Sequence, residues 1–264
     1  MLERFDASQI KLENKCWELF RHQHIKRYVF ANQLISELFC YKPTVWDVSC
    51  GSGYGIDYLN NCYYVGFDNN KDILYDLSNK YKAKYYQVDL NSQDLLKQQR
   101  YSPDCIISFE TVEHLKNPTA FLYQLYHVLH DDGILIFSAP TSKTKDFDPY
   151  HLHDNDKWTW YSLLMNAGFK IVWHNSDKFT CKFTDFIKVV PTSLSEKIAI
   201  ARRCGKNGYI LDRILNWILR NKFEWETTIY VARKHYGRTR NLVSSYFESI
   251  VDSDTKLSEF YNNS

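Results

Sequence analysis

The chain has 264 residues, enough for one large domain or one domain with appendages, and an apolar content of 44% that can supply a sizeable core. A formal net charge of +2 is too small to argue for a nucleic-acid partner. Seven cysteines, an odd number without C-x-x-C pairs, suit reduced thiols in a cytoplasmic protein better than a disulfide framework or zinc site; the N-terminus lacks the apolar stretch of a secretory signal, and no apolar run is long enough to span a bilayer.

Residues 8–41 are expected to be helical, because Leu12, Cys16, Leu19 and Phe20, then Tyr28, Val29, Ala31, Leu34, Ile35 and Leu38, recur at helix spacing. Pro43 ends the helix and Thr44 opens a first strand. That strand runs through Asp47 into a loop with three alternate glycines, Gly51, Gly53 and Gly55. A loop this poor in side chains lets the backbone approach a ligand. It also leads into a short helix, roughly 55–60, whose first amides are free to meet polar ligand atoms. Ile56 stands where a dinucleotide fingerprint needs its third glycine, and no Lys followed by Ser or Thr makes this a phosphate loop. A tight strand-to-helix turn without a ligand is the competing reading.

Residues 63–67 read as a second strand stopping at Asp68, 71–80 as a helix, and 83–88 as a third strand stopping at Asp89. A helix is expected over 91–100. Residues 105–109 form a continuous apolar run typical of a buried parallel strand. An amphipathic helix follows over 118–130, with Phe121, Leu122, Leu125, Val128 and Leu129 on one side. Asp132-Gly133 turns the chain into a fifth strand at 134–139; a helix around 157–167 ends at Gly168, before a sixth strand at 170–174. This alternation argues a parallel sheet with helices on both faces, whose ligands bind at the carboxyl ends of the strands. Residues 180–222 break the rhythm with two helix-like stretches, around 193–203 and 209–220; Ile214, Leu215, Trp217, Ile218 and Leu219 are too apolar to sit fully in water. A last strand is expected over 227–232, and the tail from 241 is expected to fray.

From about residue 44 to 175, with the last strand near 227–233, this order resembles the class I S-adenosylmethionine-dependent methyltransferases, whose first motif has the D-x-x-x-G-x-G-x-G form. The resemblance implies an α/β fold, with a Rossmann-like, seven-stranded, mostly parallel sheet, helices on both faces and an antiparallel last strand. The methyltransferase core would be 44–179 and 223–240, with an N-terminal helical extension over 1–43, a helical insertion over 180–222 before the last strand, and a polar C-terminal tail over 241–264. It also implies S-adenosyl-L-methionine as cofactor. Asp47 with Gly51, Ser52, Gly53 and Gly55 would hold the methionine part, through a carboxylate near an ammonium and an approachable backbone. Asp68 matches the family acid on the ribose hydroxyls, since an ionised carboxylate can accept from two neighbouring donors. Asp89 matches the acid that accepts from the adenine amino group, with Leu90 packed on the ring. Each acid alone reads as a helix cap; three in order, each after a strand and downstream of a triple-glycine loop, are hard to assemble by capping.

Phe109-Glu110-Thr111-Val112-Glu113-His114 resembles the family's fourth motif in the F-E-x-x-E-H form found among quinone, lipid and glycan methyltransferases. Phe109 and Glu110 are expected beside the methyl-bearing sulfonium, a cation that an aromatic face attracts. Asp148-Pro149-Tyr150-His151 resembles the N-P-[YF]-H segment that caps the acceptor pocket in part of the family, with Asp148 replacing Asn. His24-Ile25-Lys26-Arg27-Tyr28-Val29-Phe30-Ala31 resembles the H-x-x-R-Y-x-F-A helix of the same relatives.

These features imply a cytoplasmic enzyme that O-methylates a sugar or glycan-precursor hydroxyl, as in polysaccharide biosynthesis. A quinone or lipid acceptor, or a cofactor-binding scaffold without chemistry, are the alternatives. An alcohol acceptor benefits from a base, and histidine suits neutral pH. His151 is the first candidate and His114 the second, the latter equally readable as a helix-start histidine bonded to backbone. His153 reads as structural. His151, His153 and Asp154 form an H-x-H-D run with no obvious partner set, so no metal is expected. Between 197 and 240 basic residues outnumber acidic ones, which suits a solvated helix face. Sharper readings are a docking surface for a diphosphate-bearing sugar, an anionic glycolipid or the membrane surface, or a homodimer seam around Trp217.

Overall fold

The computed structural model describes residues 15–92, 94–98, 102–144, 148, 150–182, 222–234 and 254–264. Its elements in chain order are α1 (Lys15–Leu38), β1 (Thr44–Val48), β2 (Tyr63–Asp68), α2 (Lys71–Lys80), β3 (Lys84–Gln87), β4 (Cys105–Phe109), α3 (Pro118–Val128), β5 (Ile134–Pro140), α4 (Lys157–Asn166), β6 (Phe169–Lys182) and β7 (Lys222–Lys234). A last helix, α5, spans Asp254–Asn263, and single 3-10 turns occupy Tyr54–Tyr58, Asp94–Gln98 and Val112–His114.

The strands form one sheet in the order β3-β2-β1-β4-β5-β7-β6. Neighbours pair parallel from β3 to β5, while β7 runs antiparallel to both β5 and β6. The winding direction reverses between β1 and β4, which opens a crevice at their carboxyl ends. β4 and β5 are buried along their whole length, as expected for continuous apolar runs covered on both faces. Strand alternation divides the core into two layers. Val45, Cys105, Ile107, Ile134 and Ile136 point to the layer that holds Phe30, Ala31, Leu34 and Ile35 of α1. Trp46, Ile106, Leu135 and Phe137 point to the opposite layer, with Leu122 and Leu125 of α3 and Trp160 and Leu164 of α4.

Local chemistry sets the helix ends. The Asn70 side chain accepts from the Asp72 and Ile73 amides at the start of α2, and Asn117 accepts from Ala120 ahead of Pro118 at the start of α3. Asp156 caps α4 through the Thr159 amide. Gly168 ends it at φ +106°, where an added Cβ would lie 2.8 Å from the Tyr126 ring.

Several expectations shift. Residues 15–38 of the expected first helix are helical and 8–14 lie outside the described residues. The expected helices at 55–60 and 91–100 are single 3-10 turns at Tyr54–Tyr58 and Asp94–Gln98. The sixth and seventh strands are longer than their apolar cores. They pair from Phe169 opposite Lys234 to Lys182 opposite Lys222, with one register shift between Ile171 and Trp173, so the mostly polar stretch 175–182 belongs to the sheet. A two-stranded extension can carry polar side chains because its backbone hydrogen bonds are satisfied within the pair. The expected insertion helices, Trp217 with its apolar neighbours, and 241–253 of the tail lie outside the described residues.

The end of the tail is a correction: 254–263 is a helix docked on the first layer rather than a fraying segment. Leu257 and Tyr261, four apart and on one face, are 0% and 1% exposed. The Tyr261 ring stacks edge-on against Phe30, the Lys26 ammonium lies 4.0 Å above it, and its hydroxyl donates to Asp177 Oδ2 at 2.6 Å. Among the described residues no helix is long and apolar enough to cross a membrane.

Removing the Leu257 side chain leaves a cavity between α5 and α1. Leu257→Ala should lower the unfolding free energy by about 2–4 kcal/mol in urea titration. The exposed neighbour Asn262→Ala should change it by less than about 0.5 kcal/mol. Equal effects would show that α5 is not held on the core.

Candidate cofactor and acceptor site

The site is built at the switch point. After β1 the amides of Ser49 and Cys50 both donate to the Phe67 carbonyl, at 2.8 and 2.9 Å, which ties the loop to β2. Ser49, Gly51 and Gly53 all adopt positive φ, 71°, 53° and 73°, so the chain reverses within a few residues. The three glycines have different tasks. A Cβ on Gly53 would sit 2.4 Å from Leu77 of α2, and one on Gly55 would sit 2.3 Å from the Tyr28 ring of α1. At Gly51 a Cβ would meet nothing within 4 Å. Two glycines therefore let helices close on the loop, and the third faces open space.

That space is a cavity of about 300 Å³ whose walls include Gly51, Asp68, Asp89, Leu90, Glu110 and His114. Asp68 ends β2; its Oδ2 accepts from the Gly51 amide at 3.0 Å and its Oδ1 from the Asn70 amide at 2.9 Å. Asp89 follows β3, and its Oδ1 accepts from the Asn91 amide at 2.9 Å. Each carboxylate is oriented by backbone donors and keeps acceptor capacity for a ligand. Asn69, Asn70 and Thr111 are further wall residues that sequence reasoning did not single out.

Not every candidate residue meets this cavity. Ser52, Gly53, Gly55, Phe109 and Asp47 are absent from its walls. Asp47 is 1% exposed, and its carboxylate accepts from the Tyr64 hydroxyl at 2.7 Å and from the Tyr28 hydroxyl at 3.1 and 3.2 Å. Burial raises its pKa to about 7, the two tyrosine hydrogen bonds oppose the rise, and the Asp68 charge adds to it. Phe109 is buried edge-on against Tyr28, ring centres 5.1 Å apart.

Glu110 is held more elaborately. Its φ of +48° is in the left-handed region that side chains disfavour. Its Oε1 lies 3.3 Å from Arg27 Nη1 and accepts from Ser138 Oγ at 2.8 Å, while its Oε2 accepts from Thr227 Oγ1 at 3.4 Å. Arg27 is itself only 2% exposed. The H-x-x-R-Y pattern of α1 thus places Arg27 and Tyr28 on the carboxylates that end β4 and β1. One turn earlier His24 Nδ1 meets the Tyr54 hydroxyl at 3.0 Å, and burial, reinforced by Arg27, drives the His24 pKa well down. Their spacing on one helix face was the available signal; their partners were not visible in it.

The corner expected to meet the acceptor lies where the turn after β4 meets Thr144 and residues 150–153. His114 borders the cavity, and its Nδ1 is 3.2 Å from the Tyr150 carbonyl. A carbonyl only accepts, so Nδ1 is the donor in this bond. His151 packs edge-on against His114 with ring centres 4.7 Å apart. It is 4% exposed and absent from the cavity walls. Its Nδ1 lies 2.5 Å from Thr144 Oγ1 and its Nε2 3.6 Å from Asp148 Oδ2. Burial lowers its pKa to about 3, with His114 adding, so it is neutral at physiological pH. His153 Nε2 donates to the Leu115 carbonyl at 2.8 Å, and Asp154 accepts from the Thr144 amide at 2.8 Å, so both tie this segment in place. Glu113 was quoted only as part of a motif, yet it is 1% exposed and burial pushes its pKa well up.

This strand order, with one antiparallel strand set between β5 and β6, is that of the class I S-adenosylmethionine-dependent methyltransferases. The family described as "Methyltransferase domain" matches residues 20–179, and the chain belongs to it. It is 25% identical over 142 residues to a "Probable S-adenosylmethionine-dependent methyltransferase" of Mycolicibacterium smegmatis, covering 50% of this chain and 54% of that protein. It is 28% identical over 144 residues to the (S)-tetrahydroprotoberberine N-methyltransferase of Eschscholzia californica, covering 50% of this chain and 40% of that protein. The chain thus spans about half the length, or less, of the curated relatives it matches. The YcgJ protein from Bacillus subtilis shares the fold, with a TM-score of 0.60 at 13% identity over 80% of this chain and 99% of that one.

The residues present fit the family cofactor. Open space beside Gly51 adjoins the two carboxylates that would accept from ribose hydroxyls and an adenine amino group. Asp68→Ala should weaken S-adenosylmethionine binding about 10- to 100-fold in calorimetry, the worth of hydrogen bonds to a charged acceptor; unchanged affinity would remove Asp68 from the site. Asp47 generates a pH prediction. Its folded-state pKa of about 7 lies above its ordinary value of 3.8, so its contribution to stability is complete below about pH 4 and is lost as pH rises through 7. The isosteric Asp47→Asn cannot ionise. Its stability relative to the wild type should rise between pH 4 and 8 by up to about 4 kcal/mol in denaturant titrations.

Proposed function

We propose that this chain is a cytoplasmic S-adenosylmethionine-dependent methyltransferase whose acceptor is a hydroxyl on a sugar or glycan precursor. The observation that carries the reading is that Asp68, Asp89, Glu110 and His114 border one cavity at the switch point of the sheet. When bound there, S-adenosylmethionine supplies an electrophilic methyl group. Asp68 would accept from the ribose hydroxyls and Asp89 from the adenine amino group, with Leu90 against the base. Glu110, immobilised by Arg27, Ser138 and Thr227, fixes the end of the cavity nearest the acceptor corner. Asp47 and the Gly53 and Gly55 backbone act one layer back, by holding the loop against α1 and α2.

A hydroxyl acceptor must lose a proton. His114, oriented by the Tyr150 carbonyl, borders the cavity and His151 does not, so it takes precedence over His151 as the candidate base. His151 then acts as a positioning ring against His114. The preference for oxygen and for a sugar rests on the F-E-x-x-E-H and D-P-Y-H segments. The N-methyltransferase among the relatives makes an amine the natural second acceptor class.

The test is a panel of sugars, nucleotide sugars, lipids, quinones and amines with S-adenosylmethionine, read as S-adenosylhomocysteine by mass spectrometry. A sugar hydroxyl should turn over, and His114→Ala should slow it about 10²-fold or more with cofactor affinity little changed. Turnover with an amine or quinone alone would replace the acceptor class. Cofactor binding without turnover on any acceptor would favour a scaffold, and no binding at millimolar cofactor would end the methyltransferase reading.

A further inference from the structure

We propose that Glu113, His114 and His151 form a binding site for one divalent cation of the zinc, cobalt or manganese class, on the wall of the cavity. One ligand atom from each of the three lies within 4.8 Å of the others, close enough to share an ion. Two imidazoles and a carboxylate are a donor set that such ions take, with a further position left for solvent or substrate.

Three independent observations point to a ligand. First, both carboxylate oxygens of Glu113 are buried without a hydrogen-bond partner, in a residue 1% exposed. Burial holds such a group toward its neutral carboxyl, and a cation that replaces the proton would satisfy both oxygens. His114 Nε2 lies 3.8 Å from Glu113 Oε1, too long for a hydrogen bond but a spacing that an ion could bridge. Second, the outer nitrogens are already engaged. His114 Nδ1 donates to the Tyr150 carbonyl, and His151 Nδ1 faces the Thr144 hydroxyl. A metal-binding imidazole typically donates its second N–H to a carbonyl or other oxygen, which fixes the tautomer that leaves Nε2 as ligand. Third, the two rings come from different segments of the chain and pack in a T-shape, so their nitrogens come within reach of each other without a local sequence pattern. Asp148 Oδ2, 3.6 Å from His151 Nε2, is a further carboxylate oxygen beside the site.

The site is not the H-x-H-D run of the sequence, because His153 and Asp154 are turned to backbone partners. Nor does it depend on which acceptor the protein methylates. Ligation and proton acceptance compete for the same lone pair of His114, so a cation there would assign His114 to the metal and leave hydroxyl activation to the open coordination position.

The experiment uses the full chain, stripped with a chelator and titrated with cobalt(II), read by visible absorption, and with zinc(II), read by calorimetry. One equivalent should bind, with the d–d bands of a low-symmetry nitrogen–oxygen site and no thiolate charge-transfer band. Glu113→Gln and His151→Ala should each weaken binding about tenfold or more, while Asp68→Ala should bind the metal like wild type. Circular dichroism and S-adenosylmethionine calorimetry on each variant report folding, so metal loss in a folded, cofactor-binding variant is the supporting result. If His151→Ala does not fold, Glu113→Gln and the wild-type spectrum decide. No saturable binding by wild type, a thiolate spectrum, or binding undiminished in folded Glu113→Gln would overturn the proposal. Failure of the methyltransferase reading shows separately, as lost cofactor binding with metal binding intact.

Discussion

Two of the carboxylates at the strand ends, Asp47 and Glu110, are shielded from water where the first helix crosses the sheet. That constraint organises the site. Asp47 and Glu110 end β1 and the F-E segment after β4, and α1 answers them with Tyr28 and Arg27, one helix position apart. The Arg27–Glu110 pair is nearly withdrawn from water, where desolvation offsets much of the attraction and an ion pair adds little net stability. Its value is orientation: Glu110 sits at positive φ, and the ion pair with the Ser138 and Thr227 hydrogen bonds holds it there. A helix that lies outside the sheet is therefore part of the site, which agrees with a family match that starts at residue 20, well before β1.

The glycine loop meets the same constraint from the other side. It must pass between α1, α2 and a ligand space, and each glycine removes one collision. Gly53 gives way to Leu77 and Gly55 to Tyr28, so α2 and α1 can close on the loop, while Gly51 borders the cavity and donates its amide to Asp68. The spacing that marks the family is in this chain two packing contacts and one residue on the cavity wall. Asp68 links the layers: it is bound to the loop, caps the turn into α2, and faces the cavity.

The acceptor corner is assembled differently. His114 and Glu113 lie on a 3-10 turn after β4, and His151 arrives from the segment before α4, fixed by Thr144 and by the bonds of His153 and Asp154. A fold shared with many proteins supplies the crevice, while these side chains are particular to one corner of it.

The sequence by itself determined the class. Apolar strands punctuated by acids, helix-period stripes such as Phe121, Leu122, Leu125, Val128 and Leu129, and the alternate glycines are local patterns, and periodicity and chain stiffness act over a few residues. The places of Asp68, Asp89 and Leu90 at or just beyond strand ends were legible for the same reason, since a strand end is a local event. Only the tertiary structure decided that Asp47 turns to two tyrosines, that 254–263 docks as a helix through Leu257 and Tyr261, and that β6 and β7 extend as a polar pair. It alone brought Glu113, His114 and His151 within reach of one another. Each of these depends on partners distant in sequence. Burial of a polar group is dictated by what packs over it, so no window of residues encodes it alone.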